Sequence, residues 1–556
     1  MATRMTPLTK GIIGLVLFGG LMGGYFHFKK EGKLPTPEDV GATAEGGGST
    51  FPSLGSGGKA SLNEPVGTTS NPLKVSIVEF QGYAGLFVAN GGSMKTQPGS
   101  LFATKGVSVE AVIQNNVPAS SEVFESNTAH CVWRTSDFWA QEQPNLRSSG
   151  HDGRAIMVVD NTQGADGILA RDPAITGIEG LAGKKVGLLE FTPSHGLLLY
   201  ALENSSLTSR QQSLVKPIFS NADDGPSGVR TQLESGDVDA IVVWDPDLSL
   251  ALENVKGSHI IYSTKEASSL IYDVIVCDQR VLKNRANDAA LTAFVDGWLS
   301  ANKEVNANRK LGTQALIANE PMYKELASKK SPEYITHLFA NLVLTDLAAN
   351  ARILGLAGDS NQYELVYAMF DRIYRGTKKT LKDPNAPVIA PSNSFDYRYV
   401  QKLVDSDKVA QTEARKEEFT FTAVQAQEVA KKAPVITKPV QIDFATNSAE
   451  LTKLAGDTID NELVPIIRNN SSAYIKISGN TDSTGSAAIN KRISYARAQV
   501  VANYLVDQWT ISKARLLVEG NGPDKPLCHE SAPEDGMSLD QCRALNRTTR
   551  AAVIAR

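Results

Sequence analysis

Near the C-terminus, the stretch SGNTDSTG, residues 478–485, sets a lone acid, Asp482, in a small polar turn. The turn lies between an alternating apolar run, AYIKIS, and a helical pattern, NKRISYARAQVVANYLVDQW. An acid there can hold an ammonium group. Arg497, on the helix that follows, offers a planar fork suited to a carboxylate. Taken alone, the two also read as a turn acid and a surface charge beside an apolar stripe. A second set lies where upstream strands end, which is where open α/β sheets bind ligands. It comprises Phe80, Gln81, Gly82 and Tyr83, then Asn161, Thr162 and Gln163, then Thr192, Pro193, Ser194 and His195, and finally Trp244 and Asp245. Backbone N–H groups at 194–196 could hold a carboxylate, phosphate or sulfonate. Tyr83 and Trp244 could stack on a planar solute. Glu190, just before that turn, adds negative charge and speaks against a simple anion pocket. Packing for Trp244 and a helix cap for His195 are the plainer alternatives.

The elements that must position these residues follow from patterning. KVSIVEF, residues 107–114, residues 129–134, GRAIMVVD, residues 183–190, 238–246 and 269–278 read as short strands separated by helical stretches. That alternation predicts an α/β fold with largely parallel sheets, followed by a helical segment to about residue 385. From residue 440, VQIDF, AYIKIS, RLLVEG and TRAAVIA read as strands of a small α+β domain, with Ile493, Ala496, Val500, Val501 and Tyr504 forming the apolar face of its main helix. Five segments result: an anchor at 1–30, a Gly/Ser/Pro linker at 31–71, a two-lobed domain at 72–385, a connector at 386–438 and a C-terminal domain at 439–556. As a flexible coil the first linker would average about 35 Å end to end.

Residues 11–28, GIIGLVLFGGLMGGYFHF, carry no acid, Lys or Arg and are just long enough to span a bilayer. YFHFKK stands where a small-x-small cleavage site would, so the segment reads as an uncleaved single-pass anchor. A chain of 556 residues with net charge −4 has no basic excess for nucleic acid. Its seven histidines show no metal-ligand spacing, and no Ser/His/Asp triad is visible. No catalysis, cofactor or metal is expected. Cys528 and Cys542 bracket a polar loop that looks stapled by a disulfide, with two free thiols as the alternative. Cys131 and Cys277 read as buried free thiols.

Residues 73–385 resemble the substrate-binding proteins of ABC importers, in the branch of sulfonate, nitrate and thiamine-precursor binders. The resemblance rests on VEFQGYAGLF, DNTQGADGILARDPAI, LAGKKVGLLEFTPSHGLLLYAL and LESGDVDAIVVWDP. It implies two α/β lobes around a solute cleft. A pyrimidine-forming enzyme of thiamine synthesis shares that fold, but its clustered cysteine motif is missing here. The C-terminal domain resembles OmpA-like peptidoglycan-binding domains through GNTDSTG, Asn490, ISYARAQVVANYL, GNGPDKP and LNRTTR. The resemblance implies that Asp482 and Arg497 hold the ammonium and carboxylate of a diaminopimelate-type stem peptide. Asn447 and Thr481 match further pocket positions, and Asn490 and Arg547 match motif positions that order the turn and helix. Two residues depart from the pattern: Asn480 stands where the family has His, and Thr548 where it has a second Arg. Some such domains carry the disulfide that Cys528 and Cys542 would form.

Together these imply an inner-membrane protein with residues 29–556 in the periplasm, binding peptidoglycan and a small solute as a receptor or sensor. The competing expectation is a wall-tethered scaffold whose middle module docks an envelope protein. A proton-driven stator role is disfavoured, since residues 11–28 hold no Asp or Glu.

Overall fold

The structure, a computed structural model, describes residues 59–556 apart from 359, 378–382, 384, 417, 443, 445–447, 534 and 535. The membrane-anchor expectation at 11–28 lies outside the described residues. Among the described residues no helix is long and apolar enough to cross a membrane.

Short runs rich in Val, Ile and Leu build three sheets. The first lobe holds β1 (Leu73–Ile77), β2 (Val109–Ile113), β3 (Cys131–Thr135), β4 (Gly153–Thr162), β10 (Tyr272–Asp278) and β11 (Leu342–Leu344), in the order β11-β4-β10-β3-β1-β2. The second lobe holds β5 (Asp166–Ala170), β6 (Lys185–Leu188), β7 (Lys216–Phe219), β8 (Ala240–Trp244) and β9 (His259–Ser263), in the order β7-β6-β8-β5-β9. Both sheets are mixed rather than largely parallel. The chain enters the second lobe from β4 and returns through β10, so β10 runs antiparallel to β3 and β4, and β5 antiparallel to β8 and β9. The crossings at 163–165 and 264–271 are pinned together where the Thr264 hydroxyl accepts from Gly164 N at 2.8 Å, and Gln163 N ties the first of them to the chain before β11 by donating to the Asn341 carbonyl at 2.8 Å.

Cys131 and Cys277 are not free thiols. They face each other across β3 and β10, with Cα atoms 4.0 Å apart, and form a disulfide. Directly opposed positions on antiparallel strands bring two Cβ atoms together, a proximity the linear spacing of 146 residues conceals. Residues 59–71 are likewise no free linker. Ala60 N bonds the Asn127 carbonyl at 2.7 Å, Val66 N bonds Asn287 Oδ1 at 3.0 Å, and the Asn71 amide ties the turn at Ser61 with a 3.1 Å bond. The connector is shared between its neighbours. Asp396 N bonds the Ala155 carbonyl at 2.7 Å on the first lobe, while the Tyr474 hydroxyl holds Thr422 and Gln425 to the C-terminal domain at 3.2 Å.

The C-terminal sheet holds β12 (Ile436–Val440), β13 (Tyr474–Asn480), β14 (Leu516–Gly522) and β15 (Thr549–Ile554), ordered β12-β15-β13-β14. The helix Ala487–Trp509 covers it with Ser494, Ala498, Val501, Ala502 and Leu505. Of the residues expected on that face only Val501 is fully buried; Ile493, Ala496, Val500 and Tyr504 are half-buried. Small residues win because the helix lies very close to the sheet: a Cβ on Gly479 would fall 2.0 Å from the Ser494 carbonyl oxygen. The loop after the helix Val464–Asn469 docks this domain on the crossing at 264–271. Asn470 accepts from the Tyr262 hydroxyl at 2.8 Å and donates to the Tyr200 hydroxyl at 3.0 Å. Ser472 N donates to Ser268 Oγ at 2.9 Å.

Candidate functional site

At the end of β13 the sheet hands over to a turn whose every anchor is polar. Thr481 N bonds the Gly522 carbonyl at 2.9 Å, which fixes the turn to β14. The Thr481 hydroxyl is buried without a hydrogen-bond partner. Asp482 Oδ1 accepts from Thr484 N at 3.0 Å, and its Oδ2 accepts from Arg547 Nη1 at 2.5 Å. The Asn490 amide donates to the Thr484 carbonyl at 2.9 Å and ties the turn to the helix. The stapled loop contributes a residue that the sequence did not single out. Glu530 accepts from Ser483 N and Oγ at 2.9 and 2.7 Å and pairs with Arg543 at 3.0 Å. Cys528 and Cys542 do form the disulfide that holds this loop.

Thr481, Asp482, Asn490 and Arg547 therefore come together. Arg497 lies further along the helix, where its Nε donates to the Ser448 carbonyl at 3.0 Å and its guanidinium sits 4.9 Å from the Phe444 ring centroid. Burial lowers its pKa. Asn447 lies outside the described residues. Asn480 is buried, donating to the Thr548 carbonyl at 3.0 Å and accepting from Asn521 at 2.9 Å, so its part is to hold β13 to its neighbours.

Between the two α/β lobes, a cavity of about 20 Å³ is walled by Phe80, Tyr83, Trp133 and Trp244, with Asp166 and Asp273 at its polar side. Tyr83 packs edge-on to Phe80 at 5.9 Å and tilted against Trp133 at 6.3 Å, and its hydroxyl donates to Asp273. Of the residues anticipated here, Phe80, Tyr83, Thr162, Pro193 and Trp244 line the cavity. The others are committed elsewhere. Gln81 accepts from the Tyr323 hydroxyl at 2.7 Å, Asn161 donates to the Ser268 carbonyl at 2.8 Å, and Gln163 bonds Glu418 at 2.8 Å. Asp245 holds Ser249 and Asn341, at 2.6 and 2.7 Å.

The anion pocket at 194–196 is not what the fold builds. The N–H groups of His195 and Gly196 bond the Thr192 carbonyl at 2.9 and 3.2 Å. The Thr192 hydroxyl bonds the Leu189 carbonyl at 2.8 Å, and Ser194 is buried. A carboxylate of the chain itself lies against this helix turn: a Cβ on Gly196 would fall 2.3 Å from Asp137 Oδ2. His195 packs between Phe191 and Phe219, and burial depresses its pKa to about 4, so it is neutral.

The electrostatics of the cleft are those of crowded acids. Burial raises Asp137 to about 6 and Asp273 to about 7. Burial and then repulsion from Asp273 push Asp160 and Asp166 well above the usual carboxylate range. Asp137, Asp160, Asp166, Asp273 and Trp133 were missed in the sequence. A signal existed for two: Asp160 and Asp273 interrupt the apolar runs IMVVD and LIYDVIV, and an acid inside a buried strand needs a reason.

A sequence profile of the OmpA family matches residues 443–537, which form an OmpA-family domain. The probable lipoprotein YiaD of Escherichia coli (strain K12) is 28% identical over 100 residues, 18% of this chain and 45% of its own length. Outer membrane protein Omp38 of Acinetobacter baumannii is 28% identical over 139 residues, 24% of this chain and 35% of its own. The chain thus spans less than half the length of these curated relatives. Among solved structures, the periplasmic aliphatic sulphonate binding protein SsuA from Escherichia coli is similar over 59% of this chain and 96% of its own, at 15% identity and TM-score 0.44.

Proposed function

We propose that this chain is a cell-envelope protein that holds peptidoglycan through its C-terminal domain and a small solute between its two α/β lobes. The OmpA-family match over 443–537 carries the first half, because it falls on the domain whose turn presents Asp482. In this reading Asp482 takes the ammonium of a diaminopimelate-type stem peptide and Arg497 its carboxylate. Thr481 and Asn447 complete the pocket, while Asn490 and Arg547 keep the turn in place. The solute half rests on two lobes joined by two pinned crossings, with buried aromatic and polar side chains converging between them. Residues 11–28 would anchor the chain in the inner membrane, leaving residues 29–556 in the periplasm as a receptor or sensor without catalytic activity.

A second reading, a wall-tethered scaffold whose middle module docks a protein partner, is favoured by one observation. The C-terminal domain bonds to the crossing at 264–271, about which the lobes would have to move, while the cleft is closed to about 20 Å³. Sedimentation with purified sacculi tests the wall-binding half. The chain should co-sediment, and Asp482→Ala and Arg497→Ala should each stay in the supernatant. If both variants bind like the parent, the assigned pocket is wrong.

A further inference from the structure

The walls of the cleft carry one sign of charge, and that sign selects a ligand. Phe80, Tyr83, Trp133 and Trp244 present ring surface to the cavity, and Asp166 and Asp273 present carboxyls. Among the described residues no Lys, Arg or His lines it. The nearby Arg134 is already committed, with Nη2 bonded to Glu142 Oε1 at 2.8 Å and to the Ser120 carbonyl at 3.0 Å.

Behind this lining stand Asp137 and Asp160, fully buried and facing no cation: Asp137 lies against the Thr135 hydroxyl and Asp160 against Asp273. The backbone makes room for them. A Cβ on Gly82 would fall 1.9 Å from Asp160 Oδ2, as one on Gly196 would crowd Asp137. Two hydroxyls in the lining itself, Thr135 and Thr162, are 2% and 1% exposed and lie against the carboxyls of Asp137 and Asp166. Buried acids with no positive partner are costly to ionise. A set of carboxyls and hydroxyls held this way around one aromatic cavity is matched by a guest that brings positive charge and donors.

We propose that the cleft takes a small organic ammonium ion, its charge set against Asp273 and Asp166 and its carbon against the four aromatic rings. The inference rests on the solute-binding reading of the cleft and names its ligand class. Rings attract a cation through their negative faces, and do so more strongly where water is excluded. A sulfonate or carboxylate would instead find no basic side chain among the described lining residues and would oppose ionisation of Asp166 and Asp273. At about 20 Å³ the closed cavity fits only a group the size of water or ammonium, so a bulkier ion requires the lobes to part.

Calorimetric titration of the purified chain tests this, with methylammonium and tetramethylammonium chloride as probes, and sodium methanesulfonate and sodium chloride as controls. At least one ammonium probe should bind saturably. Asp273→Asn should weaken it about tenfold or more, the loss expected for one buried charge contact. Repeating the titration at pH 6 in buffers of different ionisation heat should reveal proton release by the parent protein. Asp160, Asp166 and Asp273 hold protons there until a cation arrives and Asp137 is about half protonated, with Tyr83, Asp245, Tyr374 and the Glu142-paired Arg134 as the other ionisable neighbours. That readout does not depend on whether the variant folds. Saturable methanesulfonate binding with inert ammonium probes would overturn the ligand class and leave solute binding standing. Inert probes and inert methanesulfonate would overturn both.

Discussion

Replacing Asp273 by Asn should stabilise the unliganded protein, and by an amount that depends on pH. Burial holds the Asp273 carboxyl at about 7; Asp137 pushes the same way, and the Tyr83 hydroxyl pulls against it. In the unfolded chain the group titrates near 4. The folded state therefore binds the proton more tightly than the unfolded one. Stability linked to this group is fully present below about pH 4 and is lost as pH rises towards 7. At 1.4 kcal/mol per tenfold difference in proton affinity, the loss is about 4 kcal/mol once the group is ionised. Asn keeps the shape and the acceptor for Tyr83 but never ionises. In urea unfolding at pH 8, Asp273→Asn should exceed the parent by about 2–4 kcal/mol, the lower end allowing for Asp160 and Asp166 sharing the repulsion. At pH 4 the two proteins should agree to within about 1 kcal/mol. A variant destabilised equally at both values would refute the claim that the cleft stores uncompensated acid.

Removing the C-terminal staple with Cys528→Ala and Cys542→Ala should cost the domain about 3 kcal/mol, read by thermal unfolding. It should also weaken co-sedimentation with sacculi, because Glu530 no longer buttresses Ser483 beside Asp482. Gly479→Ala would force a methyl group to 2.0 Å from the Ser494 carbonyl. It should cost about 3 kcal/mol or more by pushing the helix Ala487–Trp509 off the sheet, checked by circular dichroism melts. Asn470→Ala strands the buried hydroxyls of Tyr262 and Tyr200. It should weaken docking by about 2–4 kcal/mol and split one calorimetric unfolding transition into two.

Most strands were legible because short apolar β-branched runs bounded by turn residues have few other uses. β5, β7, β9 and β11 were not, and the strand expected at VQIDF lies earlier, as β12 at Ile436–Val440. GILA sits inside a motif read for its polar residues, and KPIF is half-exposed, with no apolar run to mark it. The backbone of the C-terminal turn was readable since part of its bonding is local: Asp482, Thr484 and Asn490 lie within nine residues of one another, whereas Arg547 and Glu530 reach it from far along the chain. What failed was long-range. An anion site at 194–196 is a fair inference from one helix start, until Asp137 arrives from another helix to lie beside it. The Cys131–Cys277 bond depends on which strands become neighbours. The flexible reading of 59–71 took Gly, Ser and Pro for freedom, when the Asn71 side chain turns that composition into a hydrogen-bonded loop. In the main helix the apolar stripe misled because close approach to glycine-bearing strands selects Ser494 and Ala498 over larger side chains.

The central claim is that a wall peptide is held at the turn where Asp482 stands. Crystals of the chain soaked with meso-diaminopimelate would test it most directly. The account predicts an ammonium group within hydrogen-bonding distance of Asp482 and the neighbouring carboxylate on Arg497. Density elsewhere on the domain, or none at the turn while Asp482 still pairs with Arg547, would contradict it.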